Sequence, residues 1–166
     1  KVFIPESWQQ PFDYYKTNTV GTLAALEYCR KNSAHLVHFS SFVYAAPLTN
    51  PITESAPIGV TNPYSHSKLL AEELCQFYAK NFDVPITIIR PFNIYGPKQK
   101  NSFLIPKIFE QALNSSQKRI ELQTLTTKRD YLYVADLCSL VHKVIQTRIT
   151  GIFNAGSGVS SSVQEV

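Results

Sequence analysis

The chain has 166 residues, of which 44% are hydrophobic and 17% are charged, and its formal net charge is +4. This composition predicts a globular protein with a core of its own and excludes a disordered chain. The sequence has no apolar run long enough to cross a bilayer, so we predict no membrane partner. The positive charge is concentrated between Pro97 and Asp130, where seven basic residues face three acidic ones. Such a surface is either an ordinary solvated face or an anion site for a group such as a diphosphate, and its scattered lysines argue against nucleic acid.

Apolar periodicity predicts alternating helices and strands over the first 90 residues. The expected elements are a helix over 13–30, a strand over 36–39, a proline-containing loop over 44–60, a helix over 62–81 and a strand over 86–89. The helix over 62–81 has Pro63 in its first turn, and Leu70, Leu74, Phe77 and Tyr78 form its expected buried stripe. This order of elements predicts α/β units around a parallel sheet.

The pattern changes after Arg90. We expect a turn-rich segment over 91–100, a helix over 103–113, and short strands over 120–125, 131–134 and 151–155. Asp136 is the expected N-cap of a further helix that ends at residue 145.

The cysteines and histidines indicate neither a disulfide framework nor a metal site. Cys29, Cys75 and Cys138 are odd in number, widely spaced and form no Cys-x-x-Cys pair. His35 and His38 would point to opposite faces of a strand, and His66 lies on another side of the predicted helix from Tyr64. We expect these three histidines and His142 to be packing or surface residues. We therefore predict reduced thiols, a cytoplasmic location and no bound metal.

A serine, a tyrosine and a lysine form the most informative pattern. Tyr64 and Lys68 stand at i and i+4 of a predicted helix, so that the phenol and the ammonium share one face. Ser40, beside Ser41, closes an apolar strand earlier in the chain. A nearby ammonium favours the phenolate, so Lys68 is expected to lower the pKa of Tyr64 and make it a base for a sugar or alcohol hydroxyl.

Several segments, in order, resemble the extended short-chain dehydrogenase/reductase family, in particular its nucleotide-sugar epimerases and dehydratases. The segments are Asn18-Thr-Val-Gly-Thr-Leu, His38-Phe-Ser-Ser-Phe-Val-Tyr44, Pro63-Tyr-Ser-His-Ser-Lys68, Arg90-Pro-Phe-Asn-Ile-Tyr-Gly-Pro97, Phe103-Leu-Ile-Pro106, Arg129-Asp-Tyr-Leu-Tyr-Val134 and Phe153-Asn-Ala-Gly-Ser157. The resemblance covers nearly the whole chain. It implies a Rossmann-like, doubly wound parallel sheet of which this chain holds a part, together with part of a smaller substrate-binding domain.

The resemblance also implies roles for individual residues. Ser40, Tyr64 and Lys68 would be catalytic, and NAD or NADP would bind beside Tyr64, Lys68 and Pro91. Tyr64 would take the proton of the sugar 4-hydroxyl, and Ser40 would bond the same hydroxyl, with Ser41 as an adjacent candidate. Asn18 is expected to set helix geometry rather than take part in chemistry.

The substrate would be a nucleotide-diphosphate sugar. Ser40, Asn93, Phe103, Leu104 and Arg129 are the expected contacts, with Arg129 on the diphosphate. Each contact residue has a structural alternative, and for Ser40 it is a strand-end serine that caps a turn. Arg129 could instead pair with Asp130, Asn93 could stabilise its turn, and Phe103 and Leu104 could pack in the core.

Two departures from the family pattern limit these expectations. The six glycines form no Gly-x-x-Gly-x-x-Gly turn for the cofactor diphosphate. We interpret residues 1–90 as the later part of the cofactor domain and residues 91–166 as a mixed segment that contributes to the substrate domain and to the last sheet strands. In addition, Ser41 and Phe42 occupy the places where dehydratases of the family carry an Asp-Glu pair.

Because neither Ser41 nor Phe42 can do acid/base work at a carbon, 4,6-dehydration is disfavoured. An NAD-dependent 4-epimerase is the first hypothesis, and a 4-keto reductase of the same family is the second. A non-catalytic fragment used in binding or assembly is the third. The helices over 13–30 and 61–82 resemble those that pair in the family's dimers, so we expect a homodimer.

Overall fold

The computed structural model describes residues 1–45, 50–114, 116, 119–122 and 124–166. Its helices are α1 (Ile4–Gln9), α2 (Pro11–Tyr14), α3 (Gly21–Asn32), α4 (Pro63–Phe82), α5 (Leu104–Leu113) and α6 (Val134–Thr147), with a π-helical segment at Tyr15–Val20 between α2 and α3. Its strands are β1 (Leu36–Phe39), β2 (Ile86–Pro91), β3 (Asn93–Tyr95), β4 (Lys128–Tyr133), β5 (Gly151–Ala155) and β6 (Ser160–Ser162). Within these residues no helix is both long and apolar enough to span a bilayer. No cluster of potential metal ligands occurs in the same part of the chain.

The first sheet is parallel, as the sequence predicts. Its strand order is β1-β2-β5, and both pairings are parallel. Alternate residues of β2 enter different cores. Ile86 and Ile88 pack with Leu26 and Cys75 of α3 and α4, whereas Ile89 packs with residues of α6. Helices therefore cover both faces of the sheet, which is the doubly wound arrangement.

Helix α4 confirms the helix expected over 62–81. The Asn62 side chain caps it by accepting a hydrogen bond from the Ser65 backbone N–H at 2.9 Å, and Pro63 occupies the first helical position. Asp83, in the left-handed conformation at φ 53°, ends it. The predicted buried stripe is wrong at Phe77, which is 56% exposed.

The face that α4 does bury carries small and polar residues as well as apolar ones. Its buried residues are Ser65, Ser67, Ala71, Glu72, Cys75 and Tyr78. Small side chains let the π-helical segment and the sheet approach closely, and α4 is left with a second, exposed apolar stripe.

The helix expected over 13–30 contains a π-helical segment. It begins in α2, widens at Tyr15–Val20 and continues as α3 to Asn32, two residues beyond the predicted end. The wide turn occurs where Asn18 is turned inward and buried, and the Asn18 backbone carbonyl also accepts a hydrogen bond from the Thr22 hydroxyl at 2.6 Å. Such π turns are frequent at functional sites.

A second small sheet replaces part of the expected loop structure after residue 90. Its order is β3-β4-β6, with β3 parallel and β6 antiparallel to β4. The segment over 91–100 thus contains β3, because its backbone pairs with β4. Strand β4 starts three residues before the predicted position 131 and ends at Tyr133.

The remaining expectations have mixed outcomes. Helix α5 and strand β5 confirm the elements predicted over 103–113 and 151–155. Asp136 is not the N-cap of α6, because the helix begins at Val134 and Asp136 lies inside its first turn. The described residues of 120–125 form no strand, and Gln123 lies outside the described residues. The loop predicted over 44–60 includes residues 46–49, which also lie outside them, and its described part forms an isolated bridge between Tyr44 and Ile58.

Candidate active site

The phenol of Tyr64 lies against a serine hydroxyl. Tyr64 is in the first turn of α4, and its hydroxyl donates a hydrogen bond to Ser41 Oγ at 3.0 Å. The ring packs edge-on against Tyr14, with 6.3 Å between the ring centres. Burial raises the pKa of Tyr64, and the hydrogen bond with Ser41 opposes that rise. We expected Lys68 to lower the pKa of Tyr64, but in the chain without a cofactor this pKa is raised.

Ser40 and Ser41 differ in their surroundings. The Ser40 backbone N–H donates to the Ile89 carbonyl at 2.8 Å and so extends the pairing of β1 with β2. The Ser40 side chain is only 3% exposed, and its hydroxyl has no hydrogen-bond partner among the described residues. Ser41 is the serine that contacts Tyr64. A buried hydroxyl without a partner is uncommon and is often completed by a ligand.

Lys68 lines a cavity of about 380 Å³, one helical turn after Tyr64. Its neighbours there are residues of the π-helical segment, α3 and β1: Thr17, Asn18, Gly21, Thr22, Ala25, Leu36, His38 and Phe39. Burial lowers the pKa of Lys68, and the negative charges that Cys75 and Glu72 carry when they are ionised oppose the shift. Among the described residues, no carboxylate forms an ion pair with Lys68. The Lys68 ammonium is therefore partly desolvated and is available to bind an anionic or polar group of a ligand in the cavity.

His38, expected from the sequence to be a packing or surface residue, is a polar group of the same cavity. Its ring is buried, and its Nε2 has no hydrogen-bond partner in the described part of the chain. Burial, with a smaller effect of the Lys68 charge, lowers the pKa of His38 to about 4. The imidazole is thus neutral at pH 7 and can either donate or accept a hydrogen bond.

Asn18 joins the π-helical segment to α4. Its side-chain amide donates to Ser67 Oγ at 3.0 Å, and Thr19 Oγ1 donates to the Ser67 carbonyl at 3.0 Å. The Ser67 hydroxyl in turn donates to the Tyr64 carbonyl at 2.7 Å. Asn18 therefore fixes the helix that carries Tyr64 and Lys68, in keeping with the geometric role expected for it.

Sequence reasoning missed a buried ion pair between Arg90 and Glu72, which lies one helical turn after Lys68 on α4. Arg90, at the end of β2, donates from Nε to both oxygens of Glu72 at 2.9 and 3.2 Å and from Nη2 to Oε2 at 2.6 Å. Arg90 is 4% exposed and Glu72 is fully buried. Arg90 Nη1 also donates to the Tyr44 hydroxyl at 2.9 Å, and that hydroxyl donates to Asn154 Oδ1 at 2.6 Å. The only available signal was the i, i+4 spacing of Lys68 and Glu72, which does not reveal the arginine.

The expected cofactor residue Pro91 lies on β2, and the expected substrate residues other than Ser40 lie on the second sheet and at the start of α5. Pro91 is buried at the end of β2, opposite Ala155. The Asn93 side chain donates to the Asp130 carbonyl at 3.1 Å, so its amide holds β3 against β4. Arg129 is exposed on β4 and forms no ion pair with Asp130 in the described residues. Asp130 instead accepts hydrogen bonds from the backbone of Ser157 and Gly158, both at 2.8 Å.

Phe103 and Leu104 begin α5. The Phe103 ring lies 6.0 Å from that of Phe3, centre to centre, and both Phe103 and Leu104 are half-buried. Among the described hydrogen bonds and ring contacts, none joins Phe103, Leu104 or Arg129 to Tyr64. The structure thus places Tyr64 against Ser41, next in sequence to Ser40. It links Phe103 to Tyr64 only indirectly, through the hydrogen bonds of Phe3 with Tyr14 and the packing of Tyr14 on Tyr64.

Helices on both faces of a parallel sheet, with reactive side chains where β1 ends, define a Rossmann-like α/β protein. The chain belongs to the NAD dependent epimerase/dehydratase family, whose sequence model matches residues 2–156.

Relatives with known activities belong to more than one reaction class. The chain is 32% identical to a dTDP-D-glucose 4,6-dehydratase of Dictyostelium discoideum, with 98% of this chain and 41% of the relative covered. It is 30% identical to a UDP-glucose 4-epimerase of Bacillus subtilis, with 98% and 55% covered. A solved structure of RMD from Pseudomonas aeruginosa with NADPH matches at a TM-score of 0.88 and 29% identity, with 99% and 59% covered. The chain therefore spans about half the length of these proteins.

Proposed function

We propose that this chain is part of an NAD-dependent nucleotide-sugar 4-epimerase that acts by transient oxidation at C4. The observation that carries the proposal is the hydrogen bond between Tyr64 and Ser41, with Lys68 one helical turn later in the lining of the cavity. Within a family of NAD-dependent epimerases and dehydratases, this is the arrangement of side chains suited to moving a proton on and off a sugar hydroxyl.

Tyr64 is the general base of the proposed reaction. Its phenolate takes the proton of the 4-hydroxyl, and the phenol returns a proton after the keto sugar has presented its other face. Ser40 bonds the reacting oxygen, while Ser41 orients the phenol. The redox chemistry at C4 would be supplied by bound NAD, as acceptor and then donor of the hydride. Since burial raises the pKa of Tyr64 in the chain alone, the phenolate depends on positive charge from Lys68 and from the cofactor.

The cavity beside Lys68 fits one end of a dinucleotide. It offers a partly desolvated ammonium, a His38 Nε2 without a hydrogen-bond partner among the described residues, and a volume of about 380 Å³, which is within the range of ligand pockets. Lys68 and Tyr64 would hold the nicotinamide ribose, and Pro91 would approach through its backbone. NADP is an equally suitable dinucleotide for these residues.

The proposed substrate is a nucleotide-diphosphate sugar. Arg129 has an exposed guanidinium suited to bidentate bonding of a diphosphate, and Phe103 and Leu104 would line the nucleotide side. Asn93 would contribute through the β3–β4 pairing that it stabilises. No direct contact among the described residues joins Arg129, Phe103 or Leu104 to Tyr64. These assignments rest on the family resemblance and, for Arg129, on its exposure.

A dehydratase is the less favoured reading, even though a 4,6-dehydratase is among the relatives. Phe42 lies edge-on against Tyr44 and Phe92 in an aromatic group, at 5.4 and 5.5 Å between ring centres. With Ser41 and Phe42 in place of two carboxylates, this chain offers no acid/base pair there for carbon chemistry. The 4-keto reductase stays the second candidate, because it needs the same tyrosine and lysine.

The deciding experiment follows products and nicotinamide absorbance together in the full-length protein. An epimerase interconverts an NDP-hexose and its C4 epimer. The absorbance at 340 nm then shows no net loss of NAD(P)H comparable to the amount of substrate consumed. Stoichiometric loss of NAD(P)H with a 4-keto sugar would replace the epimerase by the reductase. If calorimetry detects binding of neither NAD nor UDP-sugars and no sugar is converted, the protein is a non-catalytic member used in binding or assembly.

We also propose a homodimer in the cytoplasm. The π-helical segment, α3 and α4 expose large apolar side chains: Val20, Leu23, Tyr28, Phe77 and Phe82. Such an exposed stripe on neighbouring helices suits packing against a second copy. The three cysteines are free thiols, which suits a reducing compartment. Sedimentation of the Phe77→Glu variant should give a monomer, and an unchanged dimer would place the contact elsewhere.

A further inference from the structure

Glu72 lies where it could be the ionic partner of Lys68. The two residues stand at i and i+4 on α4, a spacing at which opposite charges commonly pair. Glu72 is fully buried, and a buried carboxylate needs a partner for both oxygens. In this structure both oxygens are bonded to Arg90, through three contacts between 2.6 and 3.2 Å.

Arg90 is itself held in place from its other side. Nη1 donates to the Tyr44 hydroxyl at 2.9 Å and to the Glu54 carbonyl at 3.3 Å. The guanidinium lies over the Tyr44 ring, 5.0 Å from its centre. Asn154 accepts from the Tyr44 hydroxyl, and its amide donates to the Ile52 carbonyl at 3.0 Å. The orientation of Arg90 is therefore set by three separate chain segments, those of Tyr44, Glu54 and Asn154, and none of them belongs to the helix that carries Lys68.

We propose that Arg90 is a positioning residue: by occupying both oxygens of Glu72, it leaves the Lys68 ammonium without an ionic partner and open to the cavity. This inference rests on the proposed function, in which Lys68 acts on Tyr64 and on a cofactor ribose. Without Arg90, the Glu72 carboxylate would turn to Lys68, its neighbour on the same helix. The ammonium would then be neutralised where the proposed reaction needs it.

Other groups also act on Lys68 and must stay constant in a test. His38 on β1 is neutral at pH 7 because burial lowers its pKa. Cys75, on the same face of α4, has its pKa raised by burial to about 12 and is a neutral thiol. The amino group of Lys1 feels the Lys68 charge but belongs to a different segment. Of these neighbours, Glu72 is the group whose pairing Arg90 controls.

The test compares Arg90→Leu with the double variant Arg90→Leu/Glu72→Leu in the full-length protein. The titration of Lys68 is followed by NMR of 15N-lysine-labelled protein, and the pH profile of kcat is measured in parallel. In Arg90→Leu we expect the pKa of Lys68 to rise by about 1 unit, as an opposite charge at contact distance produces. We expect kcat to fall about 10-fold, because a neutralised Lys68 no longer favours the Tyr64 phenolate. The acidic limb of the pH profile of kcat should shift to higher pH for the same reason. The double variant should return the pKa of Lys68 to the parent value and kcat to within about 3-fold of the parent, because the competing carboxylate is gone.

Arg30→Leu is the matched control, since Arg30 also forms a two-pronged pair with a glutamate, Glu27, but on the exposed face of α3. It should leave the Lys68 titration unchanged. If Arg90→Leu does not fold, Arg90→Gln keeps a donor to Glu72 without the charge and should shift Lys68 in the same direction. An unshifted Lys68 in the folded single variant, or a double variant as impaired as the single, overturns the proposal. Absence of any sugar conversion would instead refute the proposed function, and the Lys68 titration would still decide the role of Arg90.

Discussion

Two polar clusters lie side by side at the carboxyl ends of β1 and β2, and they differ in how many of their polar atoms have hydrogen-bond partners. In the first, Ser40 and His38 have hydrogen-bonding atoms without described partners, and Lys68 forms no described ion pair. In the second, Arg90 bonds Glu72, Tyr44 and the Glu54 carbonyl. Buried polar groups cost free energy unless they are bonded, so an incomplete cluster persists where something else completes it. The saturated cluster supports the fold, and the incomplete one is the candidate site.

The largest effect should come from removing the phenolic hydroxyl. Tyr64→Phe deletes the proposed base while keeping the ring that packs against Tyr14. We expect turnover of the full-length protein to fall at least about 1000-fold, within the range attributed to general bases. The denaturant midpoint and cofactor affinity should stay close to the parent. A variant that keeps near-normal rates would remove Tyr64 from the mechanism.

Breaking the saturated cluster should cost stability. Glu72→Ala leaves Arg90 buried without its carboxylate, and we expect a loss of about 3–5 kcal/mol in the free energy of unfolding, measured with urea. Glu27→Ala breaks the exposed Arg30 pair and serves as the control, with a much smaller change. Equal losses in the two variants would mean that burial does not distinguish the pairs.

The two neighbouring serines offer a sharper comparison inside the incomplete cluster. Ser40→Ala should lower kcat about 100-fold, as loss of one donor to a reacting oxygen does. Ser41→Ala removes only the bond that orients Tyr64, and we expect about a 10-fold loss. The reverse order of effects in steady-state kinetics would transfer the substrate role to Ser41.

A smaller effect on stability than that of Glu72→Ala is the pH dependence that comes from His38. Burial lowers the pKa of His38 from 6.5 to about 4, so the unfolded chain binds a proton that the folded chain refuses. His38 thus costs nothing above about pH 6.5 and destabilises the fold as pH falls toward 4. Between pH 7 and pH 5 the free energy of unfolding should drop by about 2 kcal/mol from this group. Urea unfolding of His38→Asn at both pH values should lack this part of the slope, and an identical slope would contradict the assignment.

Local regularities in the chain were enough to predict much of this arrangement. The i and i+4 spacing of Tyr64 and Lys68, the strand at Leu36–Phe39 and the helix that Pro63 begins all depend on neighbours in sequence. The parallel sheet follows from alternating helices and strands. The ordered motifs also sufficed to identify the family, because each of them is a contiguous segment.

Other features depend on contacts between distant residues and leave no periodic trace. The Arg90 network joins residues of β2, α4 and β5 to Tyr44. The apolar spacing predicted Phe77 as a core residue, yet the buried face of α4 carries Ser67, Ala71 and Cys75. Small side chains are favoured on that face because they let α4 approach the neighbouring elements closely. The rise in the pKa of Tyr64 likewise comes from surrounding residues that exclude water. Composition and spacing decided which reactive groups this chain carries, whereas burial and long-range bonding decided which of them remain free to react.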